Sequence, residues 1–244
     1  MNIDYDEMFS RSESQADQFL AAKPFPHIAI DNFFDAESYA FIRDTFPSPD
    51  SEIWKKPSNE HTKNKMVTKQ GANGLKETSY TLQAKEVFRE LGSASFLQYL
   101  EKMSGITGLI ADPYLAEGGF HCSGNGGYLD AHADFSHHDH LGLERRLNLI
   151  MYLNDDWKPE YGGALSLFDE DLNPATSVEP IGNRCVIFKT SETSFHGHPV
   201  PMVLPDNIYR RSIALYYYSM PTQRQKSRII FPMDPDFVHT QSKE

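Results

Sequence analysis

Two histidines and one aspartate are the residues of this sequence whose types and spacing best suit metal chemistry. His132 and Asp134 are two positions apart, and His196 follows Asp134 by 62 residues (196 − 134). Side chains two apart on a strand point to the same face, so the first two can act together. Two imidazoles and one carboxylate with open coordination positions are typical of a mononuclear Fe(II) centre. We therefore take the three residues as candidate metal ligands and candidate catalytic residues.

Other histidines keep alternatives to this ligand set open. His198 shares a face with His196 if the segment is extended, so it is the alternative third ligand. We prefer His196 because Gly197 beside it lets the backbone pass close to a packed neighbour. The run 137–140 (His-His-Asp-His) predicts a polar loop, since contiguous side chains do not converge on one point. A second metal site in that run stays open.

A pair of arginines opens an apolar segment 14 residues (210 − 196) after His196. Arg210 shares one face of the segment with Ser212, whereas Arg211 lies on the other face. An arginine inside a barrel is costly unless it is paired, and a guanidinium can hold a carboxylate through two parallel hydrogen bonds. One arginine is therefore a candidate for binding an acidic cosubstrate, and the other is expected to form a surface ion pair.

Length and composition narrow the class of protein. The chain has 244 residues, 39% of them hydrophobic and 23% charged, which predicts one folded domain with a sizeable core. The formal net charge of -11 argues against nucleic acid or an anionic membrane as a partner. Cys122 and Cys185 lie in apolar segments and are too few for a disulfide framework. With no secretory signal visible in the acidic first residues, we expect a cytoplasmic protein.

Short apolar or alternating runs separated by Gly, Pro, Asn and Asp dominate the chain from residue 117 onward. Such closely spaced runs predict the strands of a β-sandwich or jelly roll. Their bounds are 119–122, 128–135, 147–153, 164–168, 177–181, 185–189, 195–200 and 210–219.

The first half of the chain predicts helices that support this sheet. Asp35 is the expected N-cap of a helix that reaches about Phe46, because Asp favours that position. A strand is expected at 27–34, and two further helices are predicted at 82–91 and 93–104. Residues 4–22 are expected to form a helix or a loosely attached arm.

The predicted organisation is one domain in three parts. Residues 1–111 form helical and mixed support, 112–220 the β catalytic core, and 221–244 a C-terminal extension. Residues 50–78 show no clear periodicity, so we interpret them as a long loop or a lid. The lysines of this segment, together with Trp54, could face an anionic substrate or solvent. The oligomeric state stays open.

Further motifs follow the His132-x-Asp134 pair in a definite order. They are Tyr152-Leu153-Asn154-x-x-Trp157, Tyr161-Gly162-Gly163-x-Leu165, Ile181-Gly182-x-x-Cys185-Val186-Ile187-Phe188, the distal His196, and Arg210 ahead of Ser212-Ile213-Ala214-Leu215-Tyr216-Tyr217-Tyr218. In this order they resemble the prolyl 4-hydroxylase-like branch of the Fe(II)/2-oxoglutarate-dependent dioxygenases. The resemblance covers about residues 118–219.

The resemblance implies a mainly β fold, a double-stranded β-helix of the jelly-roll, cupin-like kind, with N-terminal helices. It implies Fe(II), 2-oxoglutarate and O2 as cofactors, and it allows ascorbate. The iron ligands would be His132, Asp134 and His196. The implied reaction hydroxylates an unactivated C–H bond and releases succinate and CO2. The substrate would be a prolyl or other peptide residue, an amino acid or a small metabolite.

The resemblance also implies residues that bind the cosubstrate. Arg210 would pair with the distal carboxylate of 2-oxoglutarate, and the alternation of its segment favours it over Arg211. Tyr152 stands where the family places a tyrosine that reaches the same carboxylate. His121 stands where some relatives carry a tyrosine near the cosubstrate.

Residues near these motifs are expected to have structural roles. Asn148 and Asn183 would fix turns or strand ends, and Gly162-Gly163 would form a tight turn. The pair Arg145-Arg146 would line the mouth of the site or face solvent.

Two other classes of protein stay open on the residues alone. A cupin-like metal- or small-molecule-binding module without redox turnover would use the same ligands, but it would need neither Arg210 nor Tyr152. A zinc hydrolase needs a general base beside the metal-bound water, for which Asp130 or His121 are the candidates.

Overall fold

The protein is an antiparallel β structure supported by N-terminal helices. The computed structural model describes residues 3–55, 61–68, 76–138 and 140–221. The strands of these residues are β1 (His27–Ile30), β2 (Trp54–Lys55), β3 (Thr62–Thr68), β4 (Ile110–Ala111), β5 (Gly119–His132), β6 (Glu144–Tyr152), β7 (Leu165–Phe168), β8 (Pro174–Val178), β9 (Cys185–Lys189), β10 (His196–His198) and β11 (Arg210–Ser219). The helices are α1 (Tyr5–Ala21), α2 (Ala36–Asp44), α3 (Leu82–Leu91) and α4 (Ala94–Ser104).

Each helix begins where a side chain caps its first turn. Asp35 accepts hydrogen bonds from the backbone N–H groups of Glu37 and Ser38, both at 2.9 Å, as the sequence predicts. Asp4 and Ser93 cap α1 and α4 in the same way. Such a cap satisfies an N–H group that the helix leaves unpaired, and it contributes about 1 kcal/mol.

The strands pair in the order β1-β9-β6-β11-β5-β10-β7-β8 and form a nearly closed barrel, as the predicted jelly roll requires. β5 is the strand that connects the two halves of this order. Its first part pairs with β11, with Phe120 opposite Ile213, and its end pairs with β10, with His132 opposite His196. One long strand therefore pairs with β11 at its beginning and with β10 at its end.

The alternation of side chains separates two apolar layers. On β11, Ile213, Leu215 and Tyr217 face the helices and join their core, where the rings of Phe96 and Tyr217 lie 6.3 Å apart. Tyr152 of β6 and neighbouring strand residues form a second cluster inside the barrel. The inner face of β11 is left to polar residues, and this is where the pocket lies.

Three sequence predictions about strands need correction. The runs 119–122 and 128–135 are one strand, because the backbone of Gly126 and Gly127 bonds to Met202 across the break we expected. The strand predicted at 177–181 begins and ends three residues earlier, as β8 (Pro174–Val178). The strand predicted at 27–34 ends at Ile30.

The segment predicted as a loop or lid contains two strands. β2 pairs with β3, and β3 pairs with β5, where Val67 lies opposite His121. Trp54 is buried and packs on Phe46 with ring centroids 5.7 Å apart, so it does not face a substrate. Residues 56–60 and 69–75 lie outside the described residues, as does 222–244 of the predicted extension.

Candidate active site

The side chains of His132, Asp134 and His196 meet at one end of the barrel. Nε2 of His132 lies 3.6 Å from Oδ1 of Asp134, and Nε2 of His196 lies 3.6 Å from Oδ2 of Asp134. One ligand atom from each residue lies within 4.8 Å of the others. Among the described residues this is the one such group of three or more His, Cys, Asp or Glu side chains.

Both imidazoles have the tautomer that a metal ligand needs. Nδ1 of His132 contacts the carbonyl oxygen of Asp130 at 2.8 Å, and Nδ1 of His196 contacts that of Ser194 at 3.0 Å. A carbonyl only accepts, so each Nδ1 carries the proton and each Nε2 presents a lone pair. The backbone thus orients both rings toward the same point.

Gly197 explains why the third ligand lies where it does. A Cβ at this position would stand 2.6 Å from the carbonyl oxygen of Asp130 and 2.7 Å from that of Leu129. Only glycine allows β10 to approach β5 this closely, as the sequence predicts. His198 is buried and lines the same pocket, but it lies outside the ligand group.

Asp134 is not on a strand, contrary to the sequence-based prediction. β5 ends at His132, and Asp134 belongs to the following irregular segment. Its Oδ2 contacts Nη1 of Arg145 at 3.2 Å and accepts a short hydrogen bond from Nδ2 of Asn148. Burial opposes the charged carboxylate, yet its contacts with His132, His196 and the guanidinium of Arg145 hold the pKa of Asp134 well below its usual range.

Arg210 lines the same pocket, and the hydroxyl of Tyr152 lies beside its guanidinium. Nε of Arg210 donates to the carbonyl oxygen of Gly163 at 2.8 Å, and Nη2 donates to the hydroxyl of Tyr152 at 3.1 Å. These bonds use two of the five N–H donors of a guanidinium, so further donors face the pocket. Burial raises the pKa of Tyr152 despite the opposing charge of Arg210, which keeps the hydroxyl protonated and able to donate.

The geometry separates the two adjacent arginines. Arg210 is 7% exposed and lines the pocket, whereas the guanidinium of Arg211 lies 5.7 Å from the ring of Phe46 on the outer face. His121 also lines the pocket, and its Nε2 donates to the carbonyl oxygen of Glu117 at 2.9 Å. The structure thus places Arg210 in the pocket and Arg211 outside it, and the binding role of Arg210 stays a prediction.

The remaining histidines have other roles. His138 is buried, and its Nε2 contacts Oδ1 of Asp112 at 3.2 Å, while its Nδ1 accepts from the backbone N–H of His140. His137 is exposed and contacts Ser136. The described part of the run 137–140 is thus a loop anchored by one buried pair.

The sequence did not predict two side-chain contacts of Asp134. Asn148, which we expected to fix a turn, lies within β6 and bonds Asp134; Arg145, expected at the mouth or in solvent, is buried beside the same carboxylate. Strict alternation would place the two on opposite faces of β6, but the pairing with β11 shifts register between Tyr217 and Tyr218, and no local sequence pattern signals this shift. Asn183 does fix a turn, because its side chain bonds both backbone groups of Phe34.

The donor set fits ferrous iron. Two neutral imidazoles and one carboxylate on one side, with the opposite side facing a pocket, are the ligand types and arrangement of mononuclear Fe(II) sites. The guanidinium of Arg210 in the same pocket suits an anionic ligand that reaches from it toward the metal.

The chain is similar to proteins that are named as oxygenases or hydroxylases. Residues 118–218 match the profile of the 2OG-Fe(II) oxygenase superfamily. The chain is 28% identical over 210 residues to the prolyl 3-hydroxylase OGFOD1 of Mus musculus. That match covers 82% of this chain and 34% of the mouse protein, so the chain spans about a third of that relative's length.

Solved structures share the fold. A prolyl hydroxylase of Trichoplax adhaerens, in complex with a peptide fragment of hypoxia inducible factor, aligns with a TM-score of 0.62 and 16% identity, over 87% of this chain and 93% of that one. A prolyl-4-hydroxylase of Pseudomonas putida aligns with a TM-score of 0.56 and 15% identity, over 85% and 99% of the two chains. These similarities confirm the predicted double-stranded β-helix.

Proposed function

We propose that this chain, a member of the 2OG-Fe(II) oxygenase superfamily through its residues 118–218, is an Fe(II)- and 2-oxoglutarate-dependent hydroxylase. The observation that carries the proposal is the presence, in one pocket, of a His-Asp-His metal site and a buried arginine, whose guanidinium is held by the hydroxyl of Tyr152. A metal-binding module without turnover would need only the first of these.

We assign His132, Asp134 and His196 as the iron ligands. The backbone carbonyls of Asp130 and Ser194 hold the proton of each imidazole on Nδ1, which supports coordination through Nε2. When bound, the iron supplies the redox chemistry with O2 and 2-oxoglutarate. The chain itself contributes ligand geometry and a pocket walled by the barrel.

Arg210 and Tyr152 are assigned to the distal carboxylate of 2-oxoglutarate. The guanidinium provides charge and parallel donors, and the protonated phenol adds a third donor from the same side. Gly163 supports this arrangement, since its carbonyl fixes Nε of Arg210 and its φ of +74° belongs to the predicted tight turn. His121 stays a proposed neighbour of the cosubstrate.

The substrate is proposed as a C–H bond of a peptide residue or small molecule. The relative named as a prolyl 3-hydroxylase makes a prolyl residue within a peptide the first class to test. Free amino acids and small metabolites are the next classes. We also propose a cytoplasmic location, which is supported by two buried free thiols; burial raises the pKa of Cys122 to about 12. No described helix is long and apolar enough to cross a membrane.

Anaerobic titration of the Fe(II)-loaded protein with 2-oxoglutarate tests the proposal. We expect a weak visible metal-to-ligand charge-transfer band that saturates at one equivalent, and succinate formation after O2 is admitted. If iron is bound but neither signal appears, the protein is a metal-binding module rather than an oxygenase. The variant Arg211→Ala serves as a control that should keep both signals, because this arginine faces away from the pocket.

A further inference from the structure

We infer that Arg145 and Asn148 are positioning residues that together hold the carboxylate of Asp134, through its Oδ2, in the orientation in which it faces the two histidine ligands. The inference rests on the proposed function, since it requires a metal at the ligand group. It concerns how that site is kept in shape before the metal and the cosubstrate arrive.

The need for such residues follows from where the ligands lie. His132 and His196 are fixed by the hydrogen-bonded register of β5 and β10. Asp134 lies two residues beyond the end of β5, so no strand pairing sets its position. Side-chain contacts from β6 do this instead.

Both donors converge on one oxygen. Nη1 of Arg145 lies 3.2 Å from Oδ2 of Asp134, and Nδ2 of Asn148 donates to the same atom. The contact with Asn148 is a hydrogen bond and the contact with Arg145 is an ion pair, so a directional bond and a charge both restrain this oxygen. A carboxylate restrained in this way keeps its orientation toward the two Nε2 atoms, each of which lies 3.6 Å from one of its oxygens.

The two donors are themselves held in place. Oδ1 of Asn148 accepts from the hydroxyl of Thr190 at 3.3 Å, which fixes the amide with its nitrogen toward Asp134. The guanidinium carbon of Arg145 lies 3.9 Å from the ring centroid of Tyr216 and 5.7 Å from that of Tyr218. The Arg145 side chain is 4% exposed. A buried, stacked guanidinium beside a carboxylate acts as a fixed donor rather than a mobile surface charge.

Co(II) binding to the full chain, followed by its visible absorption, tests the inference without turnover. We expect Arg145→Met and Asn148→Ala each to weaken Co(II) binding by about 10- to 100-fold, as for other residues that orient metal ligands. The d–d bands of the bound ion should also change in energy and intensity, since a carboxylate free to reorient alters the ligand geometry around the ion. Arg145→Lys, which keeps the charge, should fall between wild type and Arg145→Met.

Arg146→Met is the matched control. Arg146 is the next residue on β6, and it pairs with Glu144 at 3.1 Å on a partly exposed surface. Its removal should change the Co(II) dissociation constant by no more than about twofold, because exposed ion pairs contribute little.

The outcomes separate the inference from the proposed function. If wild type binds Co(II) and gives the Fe(II)–2-oxoglutarate band, but Asn148→Ala and Arg145→Lys have wild-type affinity and spectrum, the inference is overturned and the function stands. These two variants decide the matter if Arg145→Met does not fold. A loss of thermal stability with an unchanged Co(II) spectrum would assign the residues a structural role only. If wild type binds no metal at all, function and inference fail together.

Discussion

His132 and His196 occupy opposite positions on neighbouring antiparallel strands, and their ring centroids lie 4.5 Å apart. β5 ends at the first histidine and β10 begins at the second. Backbone hydrogen bonds set this register, so the sheet itself brings the imidazoles together. The ring of Phe188 packs against His196 at 4.6 Å and supports it from inside the barrel.

Replacing a ligand should therefore remove the chemistry but not the fold. His132→Ala is expected to abolish iron-dependent succinate formation, because two remaining ligands hold the metal poorly. The His132 side chain is 35% exposed, so its loss should leave little cavity and a nearly unchanged melting temperature. His137→Ala, which removes an exposed ring from the next loop, is the control. Succinate formation at the wild-type rate in His132→Ala would rule out the assignment.

The two adjacent arginines should differ sharply toward 2-oxoglutarate. Arg210→Ala is expected to raise the KM for 2-oxoglutarate by about 10- to 100-fold, because a charge-assisted hydrogen bond contributes about 1.5–3 kcal/mol. Arg211→Ala should leave it near the wild-type value, since that side chain packs on Phe46 outside the pocket. Steady-state kinetics with varied 2-oxoglutarate measure both. If Arg211→Ala raised the KM for 2-oxoglutarate more than Arg210→Ala did, Arg211 would be the residue that binds 2-oxoglutarate.

Tyr152→Phe should have a smaller effect in the same direction. The variant keeps the buried ring but removes the hydroxyl that accepts from Nη2 of Arg210 at 3.1 Å. We expect the KM for 2-oxoglutarate to rise about 2- to 10-fold, which corresponds to about 0.5–1.5 kcal/mol for one hydrogen bond. In the Arg210→Ala background the same substitution should add little, because the two groups act together. Full additivity would mean that they bind independently.

The sequence predicted the parts of the site that depend on local rules. Alternation along one strand placed Arg210 inward and Arg211 outward, and cap preference located the start of α2 at Asp35. The glycine after His196 indicated a close approach between strands, which the structure confirms. Each of these signals lies within a few residues of the feature it predicts.

What the sequence did not predict depends on distant partners. β3 forms in a polar stretch without alternation because its backbone hydrogen-bonds to an edge of β5, and such pairing leaves no apolar pattern. Arg145 looked like one half of a basic surface pair, yet the irregular segment after β5 brings Asp134 back to it. Chain reversals of this kind are set by tertiary packing.

Gly197→Ala offers a test of the close approach that seats the third ligand. The added Cβ would stand 2.6 Å from one carbonyl oxygen and 2.7 Å from another, so β10 must move away from β5. We expect a loss of about 1–3 kcal/mol in the free energy of unfolding, as for other overpacked sites, together with weaker Co(II) binding because His196 moves with its strand. Gly124→Ala in β5 is the control, since its Cβ would meet only the Tyr209 ring, at an ordinary 3.5 Å. Chemical denaturation and Co(II) titration of both variants measure the two effects. Equal behaviour of the two alanines would show that the strands can separate without disturbing the ligand, and the role given to Gly197 would then be wrong.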